Sequence, residues 1–301
     1  MMPIDRIVIG LTLSLLVAVG QAAEKPSEST QVSPRIVGGE DANPDDYPFF
    51  AKVFADGSSC GGVLISDEWL LTAGHCVYEE GVVAAADTFA RIDTEILLVS
   101  EIYLHQSYND SSLDYDYALL KLSEPYAGNL ELPILASASI YQELTPDADS
   151  LTVIGFGYIA GGGPPATSLQ QVQIPLITVE QCREFWSGQL ISNRMFCAYH
   201  PERDACNGDS GGPVLFGSPG SFQLVGLVSW GDNACIEMPG GYADVGVVRS
   251  WIDGVRAGDY PASEAGELRD SGGDSGGATG LLWWPLLLCL LWLRRFREQA
   301  L

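Results

Sequence analysis

An all-β fold with many turns is predicted by three features of this 301-residue sequence. Between Ile36 and Gly246 the apolar residues come in short runs, those runs are divided by clusters of Gly, Pro, Asp and Ser, and no long stretch carries helical periodicity. Taken in order, Val63 to Ile65, Ile96 to Val99, Ala118 to Leu122, Leu151 to Gly155 and Leu224 to Trp230 each fit a strand by length and apolar content. Val247 to Val255 is the exception: Val248, Trp251, Ile252 and Val255 recur at helical spacing, so a helix closes the region.

Length and a 47% hydrophobic composition suffice for one large domain or two fused barrels. The 39 acidic and 15 basic side chains give a formal charge of −24. A surface of that sign repels nucleic acid and anionic lipid, which excludes both as partners of the main domain; it favours solubility and the approach of cationic peptides alike. Residues 1–23 read as a secretory signal, with Arg6, an apolar core from Ile7 to Val19, and small residues at Gly20, Ala22 and Ala23. The apolar run is shorter than a bilayer requires, so cleavage is expected and not anchoring. Export implies an oxidising compartment, in accord with six cysteines inside the β-rich region; Cys289 is a seventh, near the C-terminus. Six cysteines allow fifteen pairings, which spacing alone does not resolve. No Cys-x-x-Cys or His-x-x-x-His spacing supports zinc.

The chemistry centres on Gly208-Asp209-Ser210-Gly211-Gly212-Pro213, a hydroxyl set among glycines whose N–H groups can approach a carbonyl closely. A serine hydroxyl is a weak nucleophile and needs a base, which in turn needs an orienting group. His75, at the end of Leu70-Leu71-Thr72-Ala73-Gly74-His75-Cys76, is the candidate base; His105 and His200 are read as structural. Asp116 precedes the strand-like Ala118 to Leu122 and is the candidate carboxylate, with Asp114 two residues earlier as its rival. Gly273-Asp274-Ser275-Gly276-Gly277 repeats part of the serine motif in Ser/Gly-rich sequence without such partners.

With these segments, Arg35-Ile36-Val37-Gly38-Gly39, Asp204-Ala205-Cys206-Asn207 and Ser229-Trp230-Gly231, residues 35–257 resemble the trypsin and chymotrypsin family of serine endopeptidases. The one local departure in the histidine motif is Gly74, where many relatives carry alanine. The resemblance implies two antiparallel six-stranded β-barrels, dividing near residues 125–150, with the active site between them and a C-terminal helix on the second. It further implies Ser210 as nucleophile, His75 as general base and acid, Asp116 as the orienting carboxylate, and the Gly208 and Ser210 N–H groups as an oxyanion hole; the roles follow a template this family itself defines. Disulfides are implied between Cys60 and Cys76, Cys182 and Cys197, and Cys206 and Cys235. Asp204 would sit at the base of the substrate pocket, with Ser229, Trp230, Gly231 and Gly240 along its walls, and so select protein or peptide substrates with Arg or Lys before the cut. The stretch from Cys235 to Gly240 is shorter than in trypsin, and Ala234 stands where the rim carries glycine. Cleavage between Arg35 and Ile36 would free an α-ammonium to pair with Asp209, making the chain a zymogen. No cofactor or metal is expected; Glu79, Glu80, Asp87, Asp93 and Glu95 match no calcium-loop spacing, which leaves calcium open. The protein is expected to act as a monomer. A catalytically silent homologue serving as a surface binding or adhesion module is the alternative.

The resulting organisation is a signal peptide at 1–23, an activation propeptide at 24–35, the protease domain at 36–257, a Gly/Ser/acidic linker at 258–280 and a C-terminal segment at 281–301. In that segment Leu281 to Leu293 spans about 20 Å as a helix, short of the roughly 30 Å hydrocarbon core, and Arg294, Arg295 and Arg297 follow. Tether, apolar run and arginines resemble the GlyGly-CTERM sorting tail of Gram-negative bacteria. That resemblance implies type II secretion, processing by a rhomboid-type protease, and an extracellular or cell-surface location; a membrane anchor is the alternative.

Overall fold

The computed structural model describes residues 36–79, 82–84, 88–159 and 162–264. The proposed signal and propeptide with Arg35, Glu80, Asp87, the second serine motif at 273–277, Cys289 and the tail at 281–301 lie outside the described residues. Among the described residues no helix is long and apolar enough to cross a membrane.

Twelve strands form two closed antiparallel barrels. The first contains β1 (Phe50–Ala55), β2 (Ser58–Leu64), β3 (Trp69–Thr72), β4 (Phe89–Ile92), β5 (Glu95–Leu104) and β6 (Ala118–Leu122), hydrogen-bonded in the ring order β1-β2-β3-β6-β5-β4. The second contains β7 (Ser150–Gly155), β8 (Gln170–Ile177), β9 (Met195–Ala198), β10 (Pro213–Phe216), β11 (Gln223–Trp230) and β12 (Gly240–Asp244), in the ring order β7-β8-β9-β12-β11-β10. Both barrels therefore thread six strands by one scheme. Two short strands extend the second: Glu40–Asp41 pairs with β8, and Ile134–Leu135, in the connection between barrels, pairs in parallel with β11.

Burial explains why the strands read as they do. β11 is buried from Leu224 to Ser229 because both its faces are covered, whereas the outer half of β5 alternates, leaving Ile96 and Leu98 at the surface. The first core is built around Val63, Leu64, Leu70, Leu71, Leu119 and Leu120. The second is built around Leu151, Val153, Ile174, Val214, Val225 and Tyr242, joined by Ile36 and by Ala136 and Ile140 from the connection.

The closing helix, α1 (Arg249–Ala257), starts later than its periodicity predicts, because Gly246–Val248 forms a 3₁₀ turn first. It stops where Gly258 turns left-handed at φ +85°, a conformation glycine adopts without penalty. Its buried face is Trp251, Ile252 and Val255. Trp251 packs at a tilt against His105, beyond β5, at 4.9 Å between ring centres, so the helix leans on the first barrel as well as the second expected for it. The chain then stays there, with Ser263 donating its N–H to Ile102 and accepting that of Leu104.

The buried Asp244 carboxylate ties the end of β12 to the inter-barrel connection, accepting from Ser139 Oγ (2.8 Å), Ile140 N–H (3.0 Å) and Gly246 N–H (3.0 Å). Gly246 is packed so closely that a Cβ there would lie 1.7 Å from the Ala138 carbonyl oxygen. Main chain yields less readily than a flexible side chain, so Gly246→Ala is expected to destabilise the protein by about 3 kcal/mol. Urea unfolding would report this as a lower midpoint at constant m-value. An unshifted midpoint would show that the 138–140 segment gives way freely.

Candidate active site

His75 lies in a single 3₁₀ turn, Gly74–Cys76, entered from the buried end of β3. The Cys60–Cys76 disulfide staples that turn to β2, and Thr72 Oγ1 donates to the Gly61 carbonyl 2.8 Å away. Asp116, 1% exposed, arrives just ahead of β6 and grips the histidine twice. Its Oδ1 accepts the His75 main-chain N–H and its Oδ2 meets His75 Nδ1, both at 2.8 Å. A carboxylate only accepts, so Nδ1 carries the proton and Nε2 of the neutral ring is left as a free base. Burial alone would push the imidazolium down; the Asp116 charge and hydrogen bond outweigh it and hold His75 above its ordinary pKa. A third donor, Ser229 Oγ, reaches Asp116 Oδ2 from β11 of the other barrel. The rival acid, Asp114, turns away and pairs with Arg194. His105 is a packed ring between Tyr115 and Trp251.

Ser210 sits in the loop between β9 and β10. Four main-chain hydrogen bonds hold its shape: Asp209 N–H to Cys206 (3.0 Å), Gly212 N–H to Asp209 (2.8 Å), Gly211 N–H to Val228 (2.7 Å) and, across the barrels, Gly61 N–H to the Ser210 carbonyl (2.7 Å). The Asp209 side chain is fully buried beneath the loop, accepting the N–H groups of Gly157 (2.7 Å) and Cys206 (2.9 Å). Burial pushes its pKa up to about 6 against those hydrogen bonds. Gly208 is left-handed at φ +95°. Among the described residues no main-chain acceptor is found for the N–H groups of Gly208 and Ser210. The Ser210 hydroxyl makes no hydrogen bond to His75 here; the serine loop meets the first barrel through main-chain contacts at Gly61.

Ser210, Ser229, Trp230, Gly231 and Gly240 line one cavity, with Asp204 among its walls. Asp204 is 3% exposed, and its Oδ1 accepts from Tyr242 OH (3.0 Å) and Ala205 N–H (2.7 Å). Burial drives its pKa well above the usual carboxylate range, and the Asp232 and Asp209 charges add to this against the two hydrogen bonds. A Cβ on Gly240 would sit 2.7 Å from Asp204 Oδ1, so only glycine keeps the carboxylate uncovered there. The Cys206–Cys235 disulfide joins opposite sides of the cavity, and Cys182–Cys197 braces the helix Val179–Phe185 to β9. Cys60, His75 and Cys76 are the metal-capable group found among the described residues, but the two sulfurs are bonded to each other and are not thiolates.

Several residues of the site carry no sequence signal of their own. Leu113 also lines the cavity. Tyr242 supplies the hydroxyl on Asp204. Asp232 folds the short rim by accepting the N–H groups of Ala234, Cys235 and Met238. Ser229, grouped above with the pocket, also serves Asp116; its place beside Trp230 gave the first role but not the second.

Comparison with known proteins agrees with this geometry. The trypsin family model matches residues 36–252. The chain is 35% identical over 258 residues to a trypsin of Phaedon cochleariae, covering 81% of this chain and 98% of that protein. It is 35% identical over 255 residues to the vitellin-degrading protease of Bombyx mori, covering 81% and 94%. With hypodermin-B of Hypoderma lineatum the identity is 36% over 231 residues, covering 74% and 88%. Two six-stranded barrels of one topology, a serine loop between them and a match spanning most of the chain make this protein a member of the trypsin family of serine endopeptidases.

Proposed function

We propose that the protein is an exported zymogen that, once cut before Ile36, hydrolyses peptide bonds after Arg or Lys through an acyl-enzyme. The observation that carries this reading is a single cavity bounded by both Ser210 and the buried, cation-free carboxylate of Asp204. A substrate guanidinium or ammonium entering it would pair with a carboxylate that has no side-chain cation beside it among the described residues.

In this reading Ser210 Oγ attacks the carbonyl carbon as its proton passes to His75 Nε2. The C=O pair moves onto oxygen, which the N–H groups of Gly208 and Ser210 receive. The intermediate collapses with cleavage of the C–N bond, and His75 returns the proton to the departing amine. Water then repeats the sequence on the Ser210 ester, with His75 again as base. Asp116 favours the imidazolium formed in both halves, a role its two hydrogen bonds to His75 support.

Activation rests on the packing of residues 36–39. Ile36 is fully buried in the second core, its carbonyl accepts Gly39 N–H at 2.7 Å, and the Val37 carbonyl accepts Asp204 N–H at 3.3 Å. An α-ammonium created at Ile36 would meet a loop whose Asp209 has no ion-pair partner among the described residues. Export is supported by the signal-like N-terminus and three disulfides, and Gram-negative surface sorting by the tether, apolar run and arginines of the C-terminal segment. Type II secretion and a rhomboid-type protease are its implied partners.

Three outcomes test these steps. Protein processed to begin at Ile36 is expected to cleave peptides only after Arg or Lys, with Asp204→Ser losing about a hundredfold or more in kcat/KM and Ser210→Ala inactive. Cleavage after apolar residues would remove Asp204 as the determinant, and no cleavage at all would favour the silent-homologue reading.

In the uncut chain, a folded-state pKa of about 6 at Asp209 lies above the unfolded value, so stability present below about pH 4 is lost as pH rises through 6. On a Ser210→Ala background, Asp209→Asn should therefore gain about 2 kcal/mol relative to its parent between pH 4 and 7. After cleavage before Ile36 the ammonium should abolish most of that gain. Identical profiles before and after cleavage would mean that the two groups do not pair.

The mass of mature protein from a Gram-negative host is expected to lack residues 281–301. Retention of the full tail would point to an anchor instead.

A further inference from the structure

The loop between β5 and β6 carries Asp116 at its end and Leu113 at the wall of the cavity. It holds an unfavourable shape: Leu113 and Tyr115 are both left-handed, at φ +53° and +54°, a region that side-chain-bearing residues keep only where surrounding contacts enforce it. Between those two strained residues stands Asp114, whose carboxylate accepts the Tyr115 N–H of its own loop at 3.1 Å and takes its other side-chain donors from the other barrel.

Arg194, immediately before β9, presents its fork to this carboxylate. Its Nε lies 2.8 Å from Asp114 Oδ1, and its Nη2 donates to Oδ2. Ser192 Oγ adds a third donor at 2.7 Å. The same guanidinium lies 4.4 Å from the centre of the Tyr115 ring, which also stacks on His105. Tyr117 OH donates to the Arg194 carbonyl at 3.1 Å, one residue beyond Asp116. Both partners are largely shielded, with side-chain exposures of 24% for Arg194 and 13% for Asp114, so water is a poor substitute for either.

We propose that Arg194 and Asp114 are positioning residues: through their ion pair the second barrel sets where Leu113 and Asp116 stand in the cleft. Arg194 touches neither the reacting groups nor the cavity lining, yet Asp114, Tyr115 and Tyr117, all of which it contacts, flank Asp116. Leu113 shapes the cavity wall, so the first effect of losing the clasp falls on substrate binding. The inference rests on the protease reading of Ser210, His75 and Asp116.

The test is steady-state kinetics on processed enzyme with peptides extending several residues before the cut, alongside active-site titration to count competent molecules. Wild type and His75→Ala come first, because an inactive wild type would sink the protease reading itself and with it this inference. Given an active wild type, Arg194→Ala is expected to raise KM about tenfold per competent site while kcat changes less than about threefold. Arg194→Lys should recover part of that loss, since an ammonium cannot reproduce the fork. Asp114→Asn, close in shape to the parent, should raise KM in the same direction and carries the test if Arg194→Ala fails to fold. Unchanged KM per competent site in these variants, or a loss confined to the number of competent sites, would overturn the proposal by leaving the pair a merely structural role.

Discussion

The cleft depends on the Asp116 carboxylate. A buried charge without donors is costly, and this one is supplied from both barrels: the His75 main chain and ring from the first, the Ser229 hydroxyl from the second. Satisfying it forces the 3₁₀ turn after β3 to close against the start of β6, and pins β11 alongside. The same bonds choose the histidine tautomer. A structural requirement and a chemical one are thus met by one set of contacts, and neither can be relaxed alone.

The buried acids of the second barrel follow a different rule. Asp204, Asp209 and Asp244 are each shielded; Asp204 and Asp244 are met by N–H and O–H groups and Asp209 by N–H groups alone, with no side-chain cation paired to any of them among the described residues. Burial consequently raises all three pKa values, to about 6 for Asp209 and Asp244. In a chain with 15 basic residues against 39 acidic ones, cations are scarce. Asp244 does not need one, because four main-chain and side-chain donors surround it and it only ties strand to connection. Asp204 lines the cavity that Ser210 also borders, and Asp209 lies fully buried beneath the serine loop, so neither carboxylate meets a side-chain cation among the described residues.

What was legible in the sequence is what short-range physics controls. Ala118 to Leu122 coincides with β6 because apolar residues bounded by polar ones delimit a strand sharply. Ile96 to Val99 covers only the outer half of β5, whose inner end runs on to Leu104 through Glu101, a residue that interrupts the pattern but accepts from Lys121 across the sheet and from Tyr103 along its own strand. The helix starts two residues later than its periodicity predicts, because nothing local announces that Gly246 must fit beneath the Ala138 carbonyl. Asp116 was separable from Asp114 by its spacing to the strand. That Asp114 would find Arg194, eighty positions away, was not, since only the packing of the two barrels brings them together. The same holds for Tyr242 on Asp204.

The glycines around Ser210 illustrate how two demands coincide at one spot. The motif reads as a device for letting N–H groups approach a substrate carbonyl, and the left-handed Gly208 is compatible with that. Yet a Cβ on Gly211 would lie 2.2 Å from Thr72 Oγ1, and one on Gly61 would lie 2.6 Å from Gly212 Cα. These contacts are between barrels, not toward the cleft. The two barrels share one topology, so nothing in their strand order distinguishes the half that carries the histidine from the half that carries the serine. That assignment is made in loops, and the loops can work together only if the main chains meet without side chains between them. Glycine at 61 and 211 is therefore a condition for joining the halves before it is a condition for chemistry, and the hydrogen bond from Gly61 to Ser210 is its product.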